Sequence, residues 1–156
     1  MRAFVSYSIN DSDQYILTLL SSELGRKGVV LSQSNDFYTK LSPVTEASIK
    51  KSQLFLGLIT ETGNEKDRVL QEYRVAQINK VPSLLMVEDK VKLNKTSGHD
   101  LIRFNRSRPD GAVEAIKNRI NQQKRKNDQD SESLAWLIGG AAVIALIALI
   151  AGNKSK

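Results

Sequence analysis

One carboxylate stands out among the side chains of this sequence that could do chemistry. Glu72 lies three residues after Val69 and four before Ala76, so in a helix it shares the apolar side with both of them. An ionised carboxylate that is buried alone is costly, so such a residue either has a function or is compensated by a neighbouring charge. The alternative is a glutamate at the edge of the apolar side that pairs with Arg68 or Arg74, and the spacing alone favours neither interpretation.

The composition excludes several other kinds of active site. The chain has 156 residues, no cysteine and one histidine, His99, in a polar stretch typical of a loop. Thiol nucleophiles, thiolate metal sites and disulfides are therefore excluded, and one histidine leaves little from which to build a zinc site or a catalytic triad. The net charge of +6 is spread along the chain without interleaved aromatic residues. This pattern predicts a mixed, solvated surface and no nucleic-acid interface.

Short apolar runs alternate with helical patterns over residues 1–120. The runs predict five strands, at residues 3–7, 29–31, 54–60, 83–87 and 101–104. The third of these is the most apolar, so we expect it at the centre of the sheet. Between and after the strands, apolar residues at steps of three to four predict helices that begin near Asp11 or Ser12, at 44, at 68 and at Asp110. We therefore expect an α/β fold: a parallel five-stranded sheet with helices on both faces, where ligands bind at the carboxyl ends of the strands.

Residues 134–152 form an apolar stretch without a charged side chain (LAWLIGGAAVIALIALIAG). A helix of this length rises ~28 Å, close to the ~30 Å hydrocarbon core of a bilayer, and it has no polar side to face water. The stretch therefore predicts one transmembrane helix; a core helix is the alternative. Its small residues recur at steps of three and four, which either lets such helices pack together or only reflects how common alanine is in membrane spans.

The segments around this stretch complete the predicted organisation. Residues 121–133 contain no apolar side chain and predict a polar tether, and residues 153–156 are a short tail. Because more lysine and arginine residues precede the span than follow it, we expect a tail-anchored, single-pass membrane protein with residues 1–120 in the cytoplasm.

Four stretches within residues 1–120 form an ordered set of motifs. They are the FVSYS run at 4–8 followed by Asp11, the GRKG turn at 25–28, IKKSQLFLGLIT at 49–60, and VLQEYRVA at 69–76. In order and spacing this set resembles a TIR domain, and within that family the prokaryotic TIR-like branch typified by the Thoeris defence proteins.

The resemblance implies a flavodoxin-like fold and cleavage of the nicotinamide–ribose bond of NAD, as in an NAD glycohydrolase or an ADP-ribosyl cyclase. NAD is then the substrate, and no metal or further cofactor is needed. The family's catalytic glutamate corresponds to Glu72, whose charge can stabilise the oxocarbenium-like ribose formed as nicotinamide leaves. The resemblance also implies the substrate-binding residues. Four of them lie at or just after the end of the first strand: Ser6, Tyr7, Ser8 and Asp11. The other two, Phe37 and Tyr38, lie in the polar loop at 32–42, which the resemblance implies either closes the pocket or mediates assembly.

The sequence departs from the family at two points, which leads to two hypotheses. Arg68 stands where many TIR enzymes have a tryptophan, and Ser42 is the only candidate for the small residue after the mobile loop. The first hypothesis is a membrane-tethered enzyme of antiphage defence that cleaves NAD when its domains assemble. The second is a signalling adaptor or effector without enzymatic activity, which oligomerises and gathers its transmembrane helices to perturb the membrane. The first requires that Glu72 project into a nucleotide-sized cleft.

Overall fold

A computed structural model describes residues 1–9, 14–34, 41–93, 101–105, 107–108, 110–111, 113–118, 140–141 and 144. For Ile16 it describes the backbone only. Strands and helices alternate along these residues in this order: β1 (Arg2–Ser8), α1 (Gln14–Arg26), β2 (Val30–Gln33), α2 (Pro43–Lys51), β3 (Leu54–Ile59), α3 (Lys66–Ile78), β4 (Ser83–Glu88) and β5 (Leu101–Phe104). Residues 110–111 and 113–118 are also helical.

The five strands form one sheet in the order β2-β1-β3-β4-β5, and every neighbouring pair is parallel. All six residues of β3 and all six of β4 are buried, as expected for strands covered on both faces. The predicted parallel five-stranded sheet is confirmed, and so is the central place of β3.

Helices cover both faces of the sheet. On one face, α1 and Ile116 pack against the residues of β1 that include Ala3 and Val5. On the other, α2 and α3 pack against the alternate residues, which include Phe4 and Phe55, whose rings stack 5.9 Å apart. Because side chains alternate along a strand, this arrangement assigns Ser6 and Ser8 to the same face as Phe4, beneath α3.

Several element boundaries differ by one or two residues from those that the sequence predicts; α3, for example, begins at Lys66 and not at 68. The second strand was expected at 29–31, but β2 runs from Val30 to Gln33 because its backbone pairs with β1 as far as the Val5–Gln33 pair. This strand lies at the edge of the sheet, so it accepts polar residues that do not resemble a buried strand. Asp110, expected to cap the last helix, is itself helical.

The predicted transmembrane helix falls almost entirely outside the described residues, which include only 140–141 and 144 of the stretch 134–152. Among the residues that the structure describes, no helix is both long and apolar enough to cross a bilayer. The membrane anchor therefore stays a prediction.

Candidate functional site

Glu72 lies on the buried side of α3. Its neighbours Val69, Tyr73 and Ala76 belong to the core cluster between α3 and the sheet, and the glutamate itself is 0% exposed. The prediction that this carboxylate shares the apolar side of its helix is confirmed. A fully buried carboxylate needs polar partners, so its contacts determine what the site can do.

Two serine hydroxyls bind the Glu72 carboxylate from two neighbouring strands. The Oγ of Ser6, in β1, donates a short hydrogen bond to Oε2, and the Oγ of Ser34, the residue directly after β2, donates to Oε1 at 2.5 Å. In the sheet, Phe4 of β1 pairs with Ser32 of β2. Ser6 lies two residues after Phe4, and Ser34 lies two residues after Ser32, so both serine side chains are on the same face of the sheet. The parallel register therefore brings both hydroxyls beneath α3, near the carboxyl ends of β1 and β2.

Arg68 forms a buried ion pair with Glu72 one helical turn away. Its Nη1 lies 3.3 Å from Oε1 and 3.4 Å from Oε2, and the arginine is only 4% exposed. Its Nη2 donates to the backbone carbonyl of Tyr7 at 2.6 Å and to Oε2 of Glu65 at 3.3 Å. Arg74, the other partner that the sequence allowed, is exposed, because a residue two positions further on lies on a different side of the helix.

The ion pair leaves the carboxylate enclosed instead of open to a cleft. Among the described residues, two cavities are found at the carboxyl edge of the sheet: one of about 370 Å³ bordered by Lys66 and Lys92, and one of about 310 Å³ bordered by Glu88 and Arg108. As far as the structure describes their linings, neither includes Glu72. The nucleotide-sized cleft expected beside this residue is thus not seen among the described residues, because Arg68 and two serines surround the carboxylate.

The other residues predicted for the site have different positions. Tyr7 contributes its backbone carbonyl, and its half-buried ring lies with its centroid 5.9 Å from the Arg68 guanidinium carbon. Ser8 is buried away from Glu72: its Oγ accepts the backbone N–H of Glu65 at 2.8 Å, so it holds the start of α3. The remaining three, Asp11, Phe37 and Tyr38, lie outside the described residues, and their roles stay predictions.

Ser34 is the site residue that the sequence analysis missed. The predicted second strand ends at residue 31, so Ser34 falls in the polar loop at 32–42, which is expected to close the pocket or mediate assembly, and it is not predicted as a partner of Glu72. The available signal was the parallel sheet itself: in an order that puts β2 beside β1, the residue after β2 lies next to the end of β1. Finding it required the strand order and the correct end of β2.

We expect Ser6→Ala to lower the free energy of unfolding by about 1–3 kcal/mol, because a buried carboxylate oxygen loses a donor. Urea unfolding followed by circular dichroism measures this change. The matched control is Ser22→Ala, at an exposed position of α1, where a change within about 0.5 kcal/mol is expected. Equal stability of the two variants would contradict the prediction.

The fold and the site define an α/β protein with an all-parallel five-stranded sheet and a buried glutamate–arginine pair near the carboxyl ends of its first two strands. No protein-family model matches the chain, and no curated protein matches it in sequence.

Proposed function

We propose that this chain is a membrane-tethered TIR domain that releases nicotinamide from NAD when it self-assembles, as an NAD glycohydrolase or ADP-ribosyl cyclase. The observation that supports the proposal is the Glu72 carboxylate, held by Ser6 and Ser34 near the carboxyl ends of β1 and β2. Open parallel sheets bind ligands outside those ends. The strand order β2-β1-β3-β4-β5 is also that of the flavodoxin-like fold, which the resemblance to TIR domains implies.

The proposed chemistry needs one well-placed negative charge. When the bond between C1′ of the ribose and the pyridinium nitrogen breaks, its electron pair stays on the nitrogen and nicotinamide leaves neutral. Positive charge then develops on C1′ and the ring oxygen, where the carboxylate of Glu72 stabilises it. Water adds to C1′ and loses a proton to give ADP-ribose, while cyclisation uses a nucleophile from the same molecule. The two serine hydroxyls fix the carboxylate in advance, so little reorganisation is needed during the reaction.

The remainder of the chain supports a density-dependent activity. Residues 134–152 act in this proposal as a single-pass anchor that keeps residues 1–120 at the cytoplasmic face, with residues 121–133 as a tether. Holding domains on a surface raises their effective concentration, so weak contacts between copies suffice for assembly. A defence enzyme that depletes NAD must be inactive until triggered, and assembly on the membrane provides such control.

A second candidate function is that of an adaptor or effector without enzymatic activity, and the buried ion pair favours it. Arg68 neutralises Glu72, and both side chains are almost fully buried. Buried ion pairs can serve conformational specificity and not catalysis. In this case the domain would transmit a signal by oligomerising, and gathered transmembrane helices would perturb the membrane.

Deletion of residues 134–156 separates the two functions. For the enzyme, we expect cells that overexpress the full chain, at a density on the membrane high enough for assembly without a trigger, to lose NAD and stop growing. The truncated form should release nicotinamide at least about tenfold more slowly at equal concentration, since tethering no longer raises the local concentration. Chromatography of cell extracts measures NAD and nicotinamide. Growth arrest that depends on residues 134–156 while NAD stays constant would instead support the membrane effector.

A further inference from the structure

We propose that Arg68 is an autoinhibitory residue: at rest its guanidinium occupies the position beside Glu72 that the positively charged part of the substrate must take. The inference rests on the proposed function for the nature of that substrate. It explains why a carboxylate suited to NAD cleavage is enclosed, and it gives a role to a buried charge that the proposed chemistry leaves unused.

The charges of the site carry the first step of the argument. The guanidinium lies 3.3 and 3.4 Å from the two carboxylate oxygens of Glu72, and both residues are almost completely buried. In a buried site, screening by water is weak, so a cation this close cancels the negative charge on which the oxocarbenium-like ribose depends. A pyridinium–ribose and the guanidinium cannot both occupy the space beside one carboxylate without strong repulsion. Arg68 must therefore move before Glu72 can act.

The contacts of Arg68 are of a kind that permits this movement. The distances from its Nη1 to Glu72 are longer than those of a well-formed charge-assisted hydrogen bond, about 2.7–2.9 Å, so this end of the guanidinium is the more weakly held. The 2.6 Å bond from Nη2 to the Tyr7 carbonyl holds the other end, which can stay in place while Nη1 turns away from Glu72. The buried Nε of Arg68 has no hydrogen-bond partner among the described residues. When Arg68 leaves, Glu72 still accepts hydrogen bonds from Ser6 and Ser34, so the carboxylate is not left without partners.

Glu65 provides a second carboxylate for the displaced guanidinium. It directly precedes α3, three residues before Arg68, and its Oε2 already lies 3.3 Å from Nη2. Its side chain is 32% exposed, whereas that of Glu72 is fully buried. Side chains of a helix project toward its N-terminus, so a shift of Arg68 toward Glu65 follows the natural direction of the side chain. Arg68 keeps an ionic partner in both positions while Glu72 is uncovered in only one.

The test compares the binding of NAD with that of NADH, which lacks the positive charge on the nicotinamide ring. Full-length protein in detergent is titrated with each ligand by calorimetry, as wild type and as Arg68→Gln. We expect Arg68→Gln to bind NAD about tenfold more tightly, the factor expected if about a tenth of the wild-type molecules have Arg68 displaced. Its affinity for NADH should change much less, because no second cation has to enter.

Glu65→Gln tests the same mechanism without removing a buried charge. Glu65 lies 3.3 Å from Arg68 at rest as well, but there Glu72 is a second ionic partner, whereas the displaced guanidinium relies mainly on Glu65. Its loss therefore costs the displaced position more, and we expect NAD affinity to fall about threefold as the uncovered state becomes rarer. Glu46→Gln is the matched control, since it makes the same change in an exposed ion pair of α2, where Glu46 lies 3.0 Å from Lys50. This control should leave both affinities unchanged.

The outcomes distinguish failure of the inference from failure of the proposed function. If wild-type protein releases nicotinamide but Arg68→Gln, still folded by circular dichroism, binds NAD no more tightly or gains equally for NADH, the autoinhibitory role is wrong and the enzyme stands. If Arg68→Gln does not fold, unchanged NAD affinity in Glu65→Gln also refutes it. If neither the wild type nor any variant releases nicotinamide at any density, the proposed function fails. In that case, NAD binding by Arg68→Gln that is tighter while NADH binding is unchanged would still support the inference that Arg68 excludes a cation from the space beside Glu72. If no variant binds NAD, both are wrong.

Discussion

Replacing Glu72 with glutamine is expected to reduce nicotinamide release from NAD at least about a hundredfold, because losing one preorganised group that stabilises transition-state charge typically costs about 10²–10³ in rate. Glutamine has nearly the same size: its carbonyl oxygen can keep the hydrogen bond from one of the two serines, and its NH2 group can donate to the hydroxyl oxygen of the other, because Ser6 and Ser34 bind different oxygens of Glu72. It carries no charge, so the variant isolates the electrostatic role of the carboxylate. Chromatography of nicotinamide released by protein concentrated in liposomes gives the rate.

Two controls make the Glu72→Gln result specific. Glu46→Gln introduces the same chemical change in α2, at a side chain that is 43% exposed, and should leave the rate unchanged. Because breaking a buried ion pair by removing one partner can cost about 3–5 kcal/mol of stability, thermal unfolding must also show that Glu72→Gln is folded at the assay temperature. A folded variant that releases nicotinamide at the wild-type rate would exclude Glu72 as the catalytic residue.

The sheet and its central strands are predictable from the sequence because their signals are local. A buried parallel strand must be apolar on both faces, and β3 and β4 therefore appear as continuous apolar runs bounded by turn residues. Even β5, a weaker pattern, was predicted at its observed bounds of 101–104. For α3, the apolar spacing that identified its buried side also put Glu72 on that side, and of the two arginine partners that the spacing left open, Arg68 is the one observed.

The partners of Glu72 are less predictable because they depend on the arrangement of elements that are distant in sequence. Ser34 reaches the carboxylate only because β2 lies beside β1 and pairs with it as far as Gln33. Nothing in the residues around Ser34 encodes that neighbour. The sequence shows that Arg68 and Glu72 lie one helical turn apart. That the pair is enclosed depends on the packing of α3 against β1, where the Tyr7 carbonyl accepts a hydrogen bond from the Arg68 guanidinium. Local patterns identify the candidate, and tertiary packing determines its environment.

The position of the whole site on the sheet depends on a close approach at Gly63, in the loop between β3 and α3. A Cβ atom at Gly63 would lie 2.1 Å from the backbone oxygen of Ser8, far inside van der Waals contact. Ser8 is also the acceptor for the backbone N–H of Thr60 at 3.0 Å and, through its hydroxyl, for that of Glu65 at 2.8 Å. The loop is thus fastened to the end of β1, and this contact sets where α3 begins.

We therefore expect Gly63→Ala to lower the free energy of unfolding by about 1–3 kcal/mol or more, since the clash is with backbone that cannot rotate away. The loop must move off β1, which also displaces the start of α3 and should weaken the hold of Ser6 on Glu72. Gly25→Ala is the matched control: Gly25 lies in α1 with nothing within 4 Å of the added Cβ, so alanine should stabilise the chain by about 0.5–1 kcal/mol. Urea unfolding of the full chain in detergent measures both. Equal effects of the two substitutions would mean that the Ser8–Gly63 contact does not constrain the site.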